Sequence, residues 1–161
     1  MHLVRRIVLL TGTLAALAPA APAVAATQPA AGTFVEGPET VTSEELAGGN
    51  LVLELTREVT FTGTYTGVGH ASERIVIHSD GSTNVHIDIA FTGLACGRPA
   101  QLEFLMAGQG QLDANFENGA IAGSYSTIAG GQSPTGTIPG SGRISGVAGV
   151  GGTYEGQVQC D

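Results

Sequence analysis

Arg57 and Glu73 are charged residues at positions where the chain's alternation calls for apolar ones. A charge taken out of water without a partner costs several kcal/mol, so each needs a reason. If Gly67-Val68-Gly69 is the turn between their strands, Glu73 falls opposite Gly63 and Arg57 opposite Ser79, on the order of 20 Å apart. On that register the two charges sit towards opposite ends and do not pair. Glu73 beside Gly63 and Tyr65 would line a pocket, because glycine leaves room, and a desolvated carboxyl there could act as a general acid or base. The plainer explanation is a bulge that turns each charge outward, or water at an open end. Tyr65, Tyr125 and Tyr154 share the inward parity and would give polar tips to an apolar lining.

His78 and His86 share an outer face, with Asp80 and Asp88 nearby. A metal would find two ligands there, about 7 Å apart along the backbone, but no third or fourth. A solvated polar face is the better reading, and neither a metal nor a cofactor is expected. The glycines of Gly140–Gly152 match neither G-x-G-x-x-G nor a P-loop with its lysine, so they read as places where strands pass closely. The chain has no G-x-S-x-G, H-E-x-x-H or C-x-x-C motif. Its two cysteines, Cys96 and Cys160, are expected to form a bridge across 64 residue steps.

Residues 1–25 read as a secretory signal peptide. Arg5 and Arg6 precede the apolar run Ile7–Ala18, and Ala23-Val24-Ala25 is a small-x-small cleavage site. The apolar run is too short to span a membrane, which takes about 20 residues. The protein is therefore expected outside the cell or in the bacterial cell envelope. Once the leader is removed, four arginines face 14 acidic residues with no lysine, a net charge of −10. Nucleic acid and anionic surfaces would be repelled.

Residues 26–31 read as a flexible lead, and 32–161 as one domain. Period two dominates that domain. In Leu51–Thr66 the odd positions Leu51, Leu53, Leu55, Val59, Phe61 and Tyr65 alternate with a polar series of threonines and glutamates. Ala71, Ile75 and Ile77 face inward before a tip at Asp80-Gly81-Ser82. Val85, Ile87 and Ile89 face inward after it. A three-residue loop there pairs Arg74 with Asp88 and makes His78 and His86 diagonal neighbours. Ala100, Leu102, Phe104 and Met106 alternate next, then Leu112, Ala114 and Phe116, with a turn at Asn118-Gly119. The tail carries Ile138, Ile144, Tyr154 and Val158. About eight strands fit, joined up and down. An antiparallel β-barrel closes its edges best, with a β-sandwich as the alternative.

The turn and core motifs run Phe61-Thr62-Gly63, Asp80-Gly81-Ser82, Phe91-Thr92-Gly93, Gly97-Arg98, then Gly140-Ser141-Gly142-Arg143-Ile144-Ser145-Gly146-Val147-Ala148-Gly149 and Gly152-Thr153-Tyr154. Their layout resembles bacterial domains of unknown function grouped with the allene oxide cyclase-like and dirigent-like barrels, over nearly all of residues 32–160. The resemblance implies an eight-stranded antiparallel barrel, a homo-oligomer in some cases, and guidance of reactive small molecules within a lumen. It supplies no catalytic residues at matching positions.

Three functions follow as expectations. The first is a barrel holding a small apolar molecule in its lumen. The second is a cyclase or isomerase, with Glu73 or a tyrosine assisting proton transfer. The third is a structural or interaction protein of the cell envelope with a filled core.

Overall fold

The structure, a computed structural model, describes residues 26–112, 119–129 and 138–160. The expected leader, 1–25, lies outside the described residues, as do Ala114, Phe116 and Asn118 of the strand and turn predicted there. The described residues form nine strands. These are β1 (Ala26–Glu36), β2 (Thr40–Ala47), β3 (Asn50–Gly63), β4 (Tyr65–Ile77), β5 (Ser82–Ala95), β6 (Arg98–Gln111), β7 (Ala120–Ala129), β8 (Gly140–Val147) and β9 (Gly151–Cys160). No helix among the described residues is long and apolar enough to cross a membrane.

Alternation creates these strands. In β3, exposed Thr56, Glu58, Thr60 and Thr62 interleave with buried Leu55, Arg57, Val59 and Phe61. Threonine and the aliphatic and aromatic residues suit a pleated, half-buried surface. From β3 to β9 each strand pairs antiparallel with the next, β9 pairs with β1, and β1 pairs with the second half of β3. That ring is an eight-stranded closed barrel, as expected, and not a sandwich. β2 is an addition to it. It pairs with β3 from Asn50 to Thr56, along the edge that β1 takes from Val59 to Gly63.

Residues 26–31 are not a flexible lead. They begin β1, which pairs with β9 from Ala26 opposite Cys160 to Val35 opposite Gly151. Cys96 and Cys160 form the expected disulfide, with Cα atoms 6.0 Å apart. It joins the end of β9 to the two-residue turn Cys96-Gly97 between β5 and β6. Both turn residues have positive φ, 55° and 74°, as a tight hairpin turn of this kind requires.

Two hairpin registers differ from those the sequence predicts. The β3–β4 turn is at Gly63-Thr64, with Gly63 at φ 103°, and Gly67-Val68-Gly69 lies inside β4. Those glycines serve packing: a Cβ on Gly69 would collide with the Ile89 side chain, and one on Gly67 would meet the Phe91 ring at 3.1 Å. Arg57 therefore faces Ala71, and Glu73 faces Leu55, neither Ser79 nor Gly63. At the next tip Gly81 N–H donates to the His78 carbonyl at 2.9 Å, and Asp80 Oδ1 accepts from Ser82 N–H and Oγ–H. This centres the hairpin one residue earlier than predicted. Arg74 faces His86, and Asp88 faces Ser72.

The lumen has two halves. At the disulfide end it is filled by Phe61, Tyr65, Phe91, Phe104, Tyr125 and Tyr154, with Leu102 and Val158. Phe61 stacks on Phe104 at 5.0 Å between centroids, and Tyr65 meets Phe104 edge-on at 4.9 Å. Glycines make the room: a Cβ on Gly142 would strike Tyr125, one on Gly140 the Tyr65 hydroxyl, and one on Gly32 the Tyr154 ring. The Tyr154 hydroxyl accepts from Tyr65 N–H at 2.9 Å and donates to the Thr62 carbonyl at 3.0 Å, which ties β9 to the β3–β4 turn.

Candidate functional site

The other half of the lumen is built differently. Arg57 on β3 and Glu73 on β4 point inward from adjacent strands, and the true register makes them diagonal neighbours. Arg57 Nε lies 2.9 Å from Glu73 Oε1, so the two charges pair, contrary to the expectation that they lie at opposite mouths. The contact is an ion pair of poor hydrogen-bond alignment, since neither atom has an aligned partner. Arg57 Nη1 donates to Glu36 Oε2 at 2.9 Å and Nη2 to Glu39 Oε2 at 2.8 Å. All three nitrogens of the guanidinium thus face a carboxylate.

Each element has a local reason for delivering its group. β1 buries Ala30 and Phe34 and half-buries Gly32 and Glu36 on one parity, so Glu36 is the last inward position of that strand. Gly149 N–H, in the β8–β9 turn, donates to Glu36 Oε2 at 2.9 Å, and Glu36 N–H donates to the Val150 carbonyl. Glu39 lies in the link from β1 to β2 and reaches back over Arg57 from the rim, its side chain half exposed.

Burial governs the protonation of these carboxyls. Glu73 is pushed up to about 7 by burial, which outweighs the Arg57 guanidinium; the nearby Glu36 and Glu39 charges push the same way. Glu36 is also raised by burial, with Arg57 and the Gly149 N–H opposing. In the filled half, burial pushes Tyr125 up to about 12 and raises Tyr65 and Tyr154. Those tyrosines are poor proton donors or acceptors at neutral pH.

Two cavities adjoin the charge cluster. The inner one, about 50 Å³, is bounded by Phe34, Glu36, Arg57, Glu73, Ile87, Met106 and Ile144 among others. An outer one of about 280 Å³ is bounded by Glu39, Leu53, Leu55, Ile77 and Leu112 among others. Arg57, Ile75, Val85 and Ile121 border both, so the two compartments lie side by side at the open end. Arg57 and Glu73 are thus brought together at a cavity. Gly63, Tyr65, Tyr125 and Tyr154 border neither compartment. The tyrosines belong to the filled half, and Gly63 to a surface depression beside the disulfide.

Glu36 and Glu39 escaped the sequence reading. Extending the parity of Phe34 by two residues would have found Glu36, whereas Glu39 sits in a link without periodicity. His78 and His86 are not diagonal neighbours. His78 Nδ1 meets Asn50 Oδ1 at 3.0 Å and Nε2 meets Asn84 Nδ2 at 2.8 Å, while His86 faces Arg74. No group of three or more His, Cys, Asp or Glu able to hold a metal occurs among the described residues.

The apolar cavity can take a small hydrocarbon body, and its charged wall can orient a polar head or exchange a proton with it. No family model matches the chain, and no match was found among curated proteins or solved structures.

Proposed function

We propose that the protein is an exported carrier whose barrel takes one small apolar molecule into the open half of its lumen. The observation that carries this reading is the pair of adjoining cavities, about 280 and 50 Å³, in a barrel whose other half is filled. A core built for stability alone gains nothing from such space, because atoms facing a void lose their dispersion contacts. The volume lies near the lower end of ordinary ligand sites, roughly 300 Å³, so the ligand is small. The Cys96–Cys160 bridge and the leader pattern of residues 1–25 support export. The closed eight-stranded barrel is the architecture that the resemblance to allene oxide cyclase-like and dirigent-like barrels implies.

A second reading rests on Glu73. A carboxyl held at about 7 beside an apolar cavity suits proton transfer at neutral pH, as a cyclase or isomerase would need.

Native mass spectrometry of protein recovered from its own culture medium, with calorimetric titration by 1-hexanol, tests the carrier. A copurified small mass lost on unfolding, and a saturable hexanol heat abolished by Val85→Trp, are expected. A bare protein mass with no hexanol heat overturns the reading. Turnover that Glu73→Gln abolishes, while a ligand still copurifies, moves the assignment to the enzyme.

A further inference from the structure

When its carboxyls are ionised, the open half of the lumen holds more negative charge than its one guanidinium neutralises. Three carboxylates, Glu36, Glu39 and Glu73, converge on one guanidinium, each facing one of its nitrogens. Among the described residues, no other Arg, and no Lys or His, borders either compartment. Glu73 is 6% exposed and borders the inner compartment beside Glu36, while Glu39 borders the outer one. The rest of the lining is mainly aliphatic: Ile75, Val85, Ile87, Met106, Ile121 and Ile144.

We propose that the ligand is an apolar monocation, an amine whose ammonium group settles among the Glu73, Glu36 and Glu39 carboxylates and whose hydrocarbon lies on Ile75, Val85 and Ile121. The inference rests on the carrier reading and adds the chemical class of the cargo. An ammonium group brings N–H donors to the carboxylates that line the cavity and the positive charge that the ionised cluster lacks. A carboxylate ligand would meet three like charges against one guanidinium. A neutral alcohol would fill the space but leave the excess charge uncompensated.

The cluster also fixes how binding should respond to pH. Glu73, on β4, faces Arg57 from β3, Glu36 from β1 and Glu39 from the β1–β2 link; β5 presents Ile87, which does not titrate. The amine stays charged throughout the neutral range, so Glu73 is the group that changes. Its carboxyl, near 7 when the site is empty, must be ionised to pair with the ammonium. Affinity should therefore rise from pH 6 to pH 8 by about tenfold, the ratio of ionised fractions for a group titrating at 7.

Calorimetric titration of the purified protein with hexylamine, 1-hexanol and hexanoate, at matched ionic strength, decides the matter. At pH 8 hexylamine is expected to bind about tenfold more tightly than hexanol, the gain from one charge-assisted hydrogen bond, and hexanoate more weakly than either. The amine's affinity should fall at pH 6, and Glu73→Gln should shrink both its advantage over hexanol and its pH dependence. Equal binding of amine and alcohol, or tighter binding of hexanoate, overturns the cationic ligand and leaves the carrier standing. Absence of binding by all three overturns both. Should Glu73→Gln fail to fold, the pH series on the unaltered protein still separates these outcomes.

Discussion

At one end of the barrel the inward positions carry Phe61, Tyr65, Phe91, Phe104, Tyr125 and Tyr154; at the other they carry Arg57, Glu73, Glu36 and branched aliphatics. The same strands line both ends with the same parity. The aromatic end excludes water by filling volume, with glycines in β1 and β8 making room for large rings. The charged end leaves a cavity, buries Arg57 and Glu73 beside it, half-buries Glu36 and keeps Glu39 at the rim. One half thus supplies stability and a fixed shape. The other gives up packing to hold a charged wall beside open space, a conflict with good core design that marks functional ground.

The largest effects should fall at the filled end. Phe104 lies within ring-packing distance of Phe61, Tyr65, Phe91 and Tyr125, so Phe104→Ala leaves a hole that rigid neighbours cannot close. The expected loss is about 4–5 kcal/mol, read as a fall in the urea midpoint at unchanged slope. Removing the bridge, by Cys96→Ser with Cys160→Ser, releases a loop with a sequence separation of 64. Chain entropy puts that loss at about 4 kcal/mol. Neither change touches the cavity lining, so hexanol binding should survive wherever the protein remains folded.

At the open end the expected effect has the opposite sign. Glu73 titrates at about 7 in the folded chain against an ordinary 4.5. Between these values the folded chain holds a proton that the unfolded chain has released. The stability this group contributes is therefore complete below about pH 4.5 and is lost as pH rises through 7, by about 3 kcal/mol. Glu36, also raised, acts in the same direction. Glu73→Gln removes the penalty, so at pH 8 it should be more stable than the unaltered protein by about 3 kcal/mol, although it removes an ion pair. Its urea midpoint should also change less between pH 5 and pH 8. A destabilised Glu73→Gln at pH 8 would mean that the pairing with Arg57 outweighs the burial of the carboxylate.

The barrel, the bridge and the inward parity of Arg57 and Glu73 were legible in the sequence, because period two survives any choice of turn and two cysteines allow one pairing. The pairing of those two charges was not legible. Moving the turn from Gly67–Gly69 to Gly63-Thr64 keeps the parity of every side chain but slides β4 along β3, turning distant charges into neighbours. Depth along the barrel axis was hidden for the same reason: parity places Tyr65, Tyr125 and Tyr154 inside without saying which half they occupy. β2 gave no signal because all eight of its residues are exposed, so no buried face imposes alternation.

Ile75 provides the smallest and most direct contrast with Phe104. It is half-buried, on the same inward parity, and borders both cavity compartments. Ile75→Ala encloses no new void, because the space beside it is already open. Only the lost contact of a half-covered side chain remains, about 1 kcal/mol. Urea titration of Ile75→Ala and Phe104→Ala side by side should show this severalfold difference in midpoint shift with similar slopes. The wider cavity should also accept a probe longer than hexanol. Equal losses would mean that the two halves are packed alike, and the division of the barrel into a filled end and a receiving end would fall with that result.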